Sequence, residues 1–381
     1  MAFAKKPVKK KRTALPSGKK NLSEFRKLFA DKIVDITAYD KVEVIPTGSI
    51  ILDQVTGIGG YPRGRITELW GEEGVSKTTL ALQAVAECQK LGMAAAYFDF
   101  EGAFSNQYAR DLGVNISDRD KFLYFEPTSF EDAEAALQEI PQVDNVGLVV
   151  IDSISAMTPE SHYEGGGTIG LLARKLSQFL SVFVKVLRKN MAACIAVNQI
   201  RMKIATSQFE KTVEYSTGGK ALQFYNSIKI KLKTSIKEKE EVTDPLTLVV
   251  REIARKVKVQ AEVTKNKFAK PFAYGEYWVR YGSGVDNGAS IFDMALAHEI
   301  LVMSGSWVKF SFPWNGKAAG DFKIQGEDKV REMLCSDKEL QRSCVRIMEE
   351  RGILKMSKTA IDKSLSEEPV LNEDDDEVIE L

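Results

Sequence analysis

Histidine and cysteine are scarce in this 381-residue chain, with two histidines (His162, His298) and four cysteines (Cys88, Cys194, Cys335, Cys344). No cysteine pair has C-x-x-C spacing, so a zinc site has little to build on. Cys88 and Cys194 lie in apolar runs, where buried, reduced thiols are expected. No uninterrupted apolar run approaches the roughly 18 residues that a spanning helix needs. The basic N-terminus lacks the apolar stretch of a signal peptide. A cytoplasmic protein without membrane contact is expected. Net charge is missing too: 53 Lys and Arg against 53 Asp and Glu leave a formal charge of zero. No internal repeat is present.

What is there is an ordinary globular composition, 44% apolar and 28% charged, with polarised ends. Lys5, Lys6, Lys9, Lys10, Lys11 and Arg12 cluster at one end; Glu367, Glu368, Glu373, Asp374, Asp375, Asp376, Glu377 and Glu380 crowd the other. Such asymmetry accompanies nucleic-acid handling, although many charged tails are only solvated. Residues 1–20 read as a basic flexible arm. Residues 21–43 hold an amphipathic helix with Leu22, Phe25, Phe29 and Ile33 on one stripe, suited to docking on the core or on another subunit. Between 44 and 285, near-continuous apolar runs at 66–70, 94–100, 146–151 and 194–197 alternate with helical patterns. Strands buried on both faces and separated by helices mean an α/β fold with a mostly parallel central sheet. A small α+β domain follows over 286–355, and 356–381 form an acidic flexible tail.

The most informative stretch is Gly71, Glu72, Glu73, Gly74, Val75, Ser76, Lys77, Thr78 and Thr79, between the alternating run 65–70 and a helical pattern of Leu80, Ala84, Val85, Cys88 and Leu91. A glycine-rich turn between strand and helix, running into Lys-Thr, is a phosphate cradle. Backbone N–H groups wrap phosphate, the lysine neutralises it, and the hydroxyl serves Mg²⁺. Ser76 stands where the G-x-x-x-x-G-K-[ST] pattern has its second glycine. The alternative is an ordinary βα turn.

Asp152 ends the apolar strand 146–151, where a carboxylate at a parallel strand's C-terminal edge serves Mg²⁺ beside Thr78. Asp99 and Glu101 end the strand at 94–100; Glu101 is the candidate base for a water attacking a γ-phosphate, with Asp99 capping the turn. Gln199 follows the strand 192–197 and is placed either to sense that phosphate or merely to satisfy strand-end backbone.

Ordered motifs then match a known family. They are PTGSIILD at 46–53, QYARDLG at 107–113, VNQIRMKI at 197–204, STGGKALQFY at 216–225, TKNKFAKPF at 264–272 and YGSG at 281–284. The chain resembles the bacterial RecA recombinases from about residue 44 to 354. The resemblance implies a RecA-like core with ATP and Mg²⁺ as cofactors. It makes Glu101 the catalytic carboxylate, Gln199 the γ-phosphate sensor and Tyr108 the tyrosine that stacks on adenine, with Tyr281 near the same ring. Lys265 and Lys267 resemble the lysines that reach a neighbouring subunit's ATP, completing catalysis only on assembly. Two segments resemble DNA-binding loops: one with Gly165, Ile169, Gly170 and Arg174, another with Arg201, Met202, Lys203, Ile204, Lys211, Gly218 and Gly219. Their cations suit phosphates, and Ile169 or Ile204 could wedge between bases.

The implied protein is a DNA-dependent ATPase that polymerises on single-stranded DNA and catalyses homologous pairing and strand exchange. Partners would be single- and double-stranded DNA, further copies in a helical filament, and single-strand-binding and mediator proteins, in a bacterial or phage-infected cytoplasm. Departures from the pattern are Ser76, Ser105 in place of an acidic residue near the adenine, a shorter first loop, and a longer, more charged stretch over 233–259, read as an extended hairpin. They fit a phage-encoded or otherwise distant member. A nucleotide-gated DNA-coating protein that hydrolyses poorly, and a helicase or clock-type ATPase, are the rival readings.

Overall fold

The computed structural model describes residues 22–28, 30, 42–160, 171–203, 213–217, 219–243 and 250–354. The chain divides into two units, 1–42 and 43–381. In the first, α1 (Leu22–Leu28) leaves Leu22 and Phe25 exposed; Phe29 and Ile33 of its expected stripe lie outside the described residues.

The second unit begins with a short antiparallel pair, β1 (Val44–Ile45) and β2 (Tyr61–Pro62), around α2 (Ile50–Thr56). Ser49 caps α2 by accepting the Leu52 N–H, and Gly57 closes it at φ 71°, a left-handed turn that glycine enters without strain. Strand and helix then alternate: β3 (Ile66–Gly71), α3 (Lys77–Lys90), β4 (Ala94–Asp99), α4 (Asn106–Asp111), β5 (Phe122–Phe125), α5 (Phe130–Glu139), β6 (Val146–Asp152), α6 (Leu171–Asn190) and β7 (Ala193–Lys203). After β8 (Val213–Ser216) and α7 (Gly219–Tyr225) come β9 (Ile228–Thr243), β10 (Val250–Asn266), β11 (Tyr274–Arg280) and β12 (Gly284–Asp286). Finally α8 (Asn287–Ala297), β13 (Leu301–Ser304), β14 (Trp307–Phe310), β15 (Lys323–Gln325), α9 (Glu327–Ser336) and α10 (Lys338–Glu350) form the C-terminal part.

Among the described residues one sheet runs β12-β11-β10-β9-β3-β7-β6-β4-β5, with β8 paired to β7. From β9 to β5 the neighbours are parallel, because each return crosses through a helix; β10, β11 and β12 add antiparallel. The fold is thus α/β with a mostly parallel central sheet. Successive strand residues face opposite cores, as the period of two requires. Leu69, Tyr97, Val150 and Val197 pack with Leu80, Val85 and Cys88 of α3 on one side. Ile66, Phe98, Val149 and Cys194 pack with Phe130 of α5 and Phe179 and Phe183 of α6 on the other. Fully burying such a side chain contributes roughly 1.5–3 kcal/mol. A separate core, including Phe292, Phe310, Val330 and Met348, holds 287–354 together and reaches Ile50.

The charged stretch over 233–259 is a hairpin arm, as expected. β9 and β10 pair antiparallel from Ile228↔Asn266 out to Thr243↔Val250, with register shifts at three places. The segment that resembles the second DNA-binding loop starts as strand: Ile200–Lys203 continue β7 and pair with Ser216 back to Val213. Extending the strand lets a two-stranded ribbon satisfy its own backbone groups as it leaves the sheet.

Candidate functional site

The turn after β3 is built by close packing at one end and left-handed backbone at the other. A Cβ on Gly71 would come within 2.5 Å of the Leu232 carbonyl oxygen, so only glycine fits. Gly74 lies at φ 74° and Ser76 at φ 64°, ψ 25°, so the serine holds a left-handed conformation that glycine enters more easily. Its hydroxyl donates to the Val75 carbonyl at 2.6 Å. Lys77 opens α3, and its Nζ donates to the carbonyls of Gly71 (3.1 Å) and Glu72 (2.6 Å). Burial pushes this ammonium below the usual lysine range, with Asp152 and Glu101 opposing.

A cavity of about 250 Å³ opens over this helix start, lined by Glu73, Gly74, Ser76, Lys77, Thr78, Thr79, Glu101, Tyr108, Asp152, Val197, Gln199, Val257, Val279 and Tyr281. Thus the strand ends of β4, β6 and β7 bring the expected base, metal ligand and sensor to one place. Gly71, Glu72 and Val75 do not line it: Val75 is buried in the core, and the first two contribute the carbonyls that hold Lys77.

Thr78 Oγ1 donates to Asp152 Oδ2 at 2.8 Å, and Tyr97 donates to the same oxygen at 2.6 Å. Burial raises the Asp152 carboxyl above its usual range, and these two hydrogen bonds pull it back. A hydroxyl beside a carboxylate is the oxygen pair that a partly hydrated Mg²⁺ takes along with phosphate oxygens. Among the described residues no cluster of three or more His, Cys, Asp or Glu offers an all-protein metal cage. Glu101 Oε1 accepts from Ser153 Oγ at 2.5 Å, and the Asp152–Ser153 peptide is cis. Asp99 accepts the N–H groups of Glu101, Gly102 and Phe104 at 2.9–3.0 Å, so it caps the turn that presents Glu101. Tyr108 on α4 shares a 2.7 Å hydrogen bond with Thr79, and Tyr281 stands at the cavity's edge, 48% exposed. Ser105 is used locally, accepting the Tyr108 N–H at 3.3 Å as the N-cap of α4.

Lys265 and Lys267 are not at this cavity. Lys265 Nζ donates to the carbonyls of Gln223 and Asn226 and to Asn226 Oδ1 at 2.5–2.8 Å, and Lys267 Nζ to the Phe224 carbonyl at 3.5 Å. Both cations sit at the C-terminal end of α7, where a helix dipole favours positive charge. Desolvation, with Lys267 alongside, pushes the Lys265 ammonium down to about 8. Arg174 is exposed in the first turn of α6, and Arg201 is exposed on β7 opposite Tyr215. Met202 and Lys203 continue β7, and Gly219 opens α7. Gly165, Ile169, Gly170, Ile204, Lys211 and Gly218 lie outside the described residues.

The motifs did not single out Tyr97, Ser153, Asn198 or Asn226. A tyrosine inside an otherwise alanine-rich strand, and a serine directly after the metal-side aspartate, were the available signals for the first two.

Among the described residues no helix is long and apolar enough to cross a membrane. The RecA N-terminal domain family matches residues 19–286. Protein RecA of Porphyromonas gingivalis is 39% identical over 307 residues, covering 79% of this chain and 83% of its own length. Protein RecA of Bacteroides thetaiotaomicron is 38% identical, covering 79% and 85%, and that of Francisella tularensis subsp. novicida is 34% identical, covering 86% and 88%. The family match takes in every strand from β1 to β12, and these relatives align over most of both lengths, so the chain belongs to the RecA recombinase family.

Proposed function

We propose that this protein is a DNA-dependent ATPase that polymerises on single-stranded DNA and catalyses homologous pairing and strand exchange, working in the cytoplasm. The observation that carries the reading is the convergence of Lys77, Thr78, Asp152, Glu101 and Gln199 on one cavity at the C-terminal edge of a parallel sheet. Lys77 and the N–H groups at the start of α3 bind the β- and γ-phosphates. Thr78 and Asp152 hold Mg²⁺, which when bound neutralises phosphate oxygens. Tyr108 and Tyr281 take the adenine. Glu101, oriented by Ser153, accepts a proton from the water whose oxygen attacks the γ-phosphorus. The bond from that phosphorus to the bridging oxygen breaks, leaving ADP and inorganic phosphate. Gln199 senses the γ-phosphate at the base of the β7–β8 ribbon, whose Arg201 and Lys203 bind DNA phosphates. Lys265 and Lys267 of one copy reach the cavity of the next, so turnover waits for assembly.

Phosphate release with and without single-stranded DNA, combined with a D-loop assay, tests this reading. Glu101→Gln is expected to bind ATP and DNA while losing at least about 10²-fold in hydrolysis, the scale of a positioned base. Mixing it with Lys265→Ala protein should restore part of the turnover, because some interfaces pair an intact base with intact lysines. DNA binding without stimulated hydrolysis in the wild type would instead favour a nucleotide-gated coating protein. No rescue at any mixing ratio would argue against a shared site.

A further inference from the structure

Behind Gln199 lies a buried polar cluster that the hydrolysis chemistry leaves unused. Glu68, in the middle of β3, has no exposed surface. Its Oε1 accepts Asn198 Nδ2 at 3.1 Å and lies 3.4 Å from the Lys229 ammonium, while its Oε2 accepts Asn226 Nδ2 at 2.6 Å. Each partner reaches a further element. Asn198 Nδ2 also donates to the Thr217 carbonyl at 2.9 Å, and its Oδ1 accepts the Gln199 N–H at 3.0 Å. Lys229 donates to Ser216 Oγ at 2.8 Å. Asn226 accepts Lys265 Nζ on its carbonyl at 2.7 Å and on Oδ1 at 2.8 Å.

A carboxylate cut off from water is held only by its partners, and removing one leaves an expensive buried charge. The end of β8 at Ser216 and Thr217 therefore cannot shift freely. Any displacement drags Asn198 and Lys229 with it or breaks bonds that no water replaces. The other carboxylate oxygen fixes Asn226, and with it Lys265. Three elements with separate tasks thus share one anion.

We propose that Glu68 is a positioning residue that couples the β7–β8 ribbon both to Gln199 in its own cavity and, through Asn226, to Lys265. The inference rests on the reading of the cavity as the ATP site and of the ribbon as DNA-binding. DNA seated on the ribbon would set Gln199 and Lys265 together, so that one binding event prepares a chain's own site and its neighbour's.

The test uses full-length protein and measures ATP hydrolysis with and without oligo-dT, the Kd of a fluorescent ATP analogue without DNA, and the melting temperature. Asn226→Ala, which leaves Glu68 with Asn198 and Lys229, is expected to lower DNA-stimulated kcat about 10-fold while the analogue's Kd stays within about two-fold, a loss of about 1.4 kcal/mol. Val263→Ala, a core truncation on the strand that carries Lys265, supplies the purely structural control. Glu68→Gln adds a readout that packing alone would not move. Lys267, Lys229 and Glu68 are the charges around Lys265, and Glu68 is the acid among them. Its neutralisation should move the alkaline limb of DNA-stimulated turnover to lower pH, and Val263→Ala should not. Wild-type stimulation in Asn226→Ala, or losses in both variants that only track the melting temperature as in the control, would overturn the coupling. Absence of DNA-stimulated hydrolysis in the wild type would overturn the functional reading itself and this inference with it. If Glu68→Gln does not fold, Asn226→Ala against the control decides alone.

Discussion

A serine at φ 64° at the mouth of the cavity carries its Cβ in backbone territory where left-handed geometry costs an L-residue roughly 1–2 kcal/mol. Ser76→Gly removes that strain, but the glycine gains entropy in the unfolded chain worth roughly 0.5–1 kcal/mol, so stability should hardly change. Turnover and nucleotide affinity are expected to hold or rise; a large loss of ATP binding, measured by fluorescence titration, would show that Ser76 contributes a contact of its own. Asp53 offers a pH test. Its Oδ1 accepts the Thr47 N–H at 2.8 Å, its Oδ2 is buried and has no hydrogen-bond partner among the described residues, and burial pushes the carboxyl up to about 8. With the folded pKa above the unfolded one, the native state holds a proton that the unfolded chain has released. Stability from this group is therefore full below about pH 4 and declines as pH rises to about 8. Asp53→Asn cannot ionise, so its melting temperature should fall less between pH 5 and 8 than that of the wild type; parallel melting curves would refute the assignment.

At the scale of elements, the β9–β10 arm outruns the sheet that supports it. β3 pairs with β9 only over 228–232, and β11 with β10 only over 256–262. Beyond those limits the pair has no third strand among the described residues, and charges such as Lys239 and Glu252 line its edges in an exposed ion pair worth little in water. Replacing residues 240–253 by a two-residue turn should therefore leave nucleotide affinity unchanged and move the melting temperature by only a few degrees. The cut spares Arg255, whose carbonyl accepts the Tyr281 N–H. A collapse in stability would show that the arm contributes to the core.

Over the whole molecule, zero net charge conceals opposed ends. The acidic run from Glu367 to Glu380 lies outside the described residues, yet its charge alone makes it a competitor for any phosphate-binding cation nearby, most strongly at low salt. Deleting 367–381 is expected to strengthen duplex binding and lower the Mg²⁺ needed for strand exchange, with little change in basal hydrolysis. Indistinguishable Mg²⁺ titrations would reduce the tail to an aid to solubility.

Local chemistry made much of this protein legible without its structure. Short unbroken apolar runs set between helical patterns read as strands buried on both faces, a glycine turn running into Lys-Thr is read against the helix it opens, and carboxylates at 99, 101 and 152 follow from where those strands end. What lay beyond the sequence depends on pairings between residues far apart in the chain. The extension of β7 through Lys203 exists because 213–216 returns to pair with it. Ser153 meets Glu101 because β6 and β4 are neighbours, and the bond of Asn226 to Glu68 spans 158 residues. A buried carboxylate chooses its partners by proximity in the fold, and proximity is what tertiary structure alone decides.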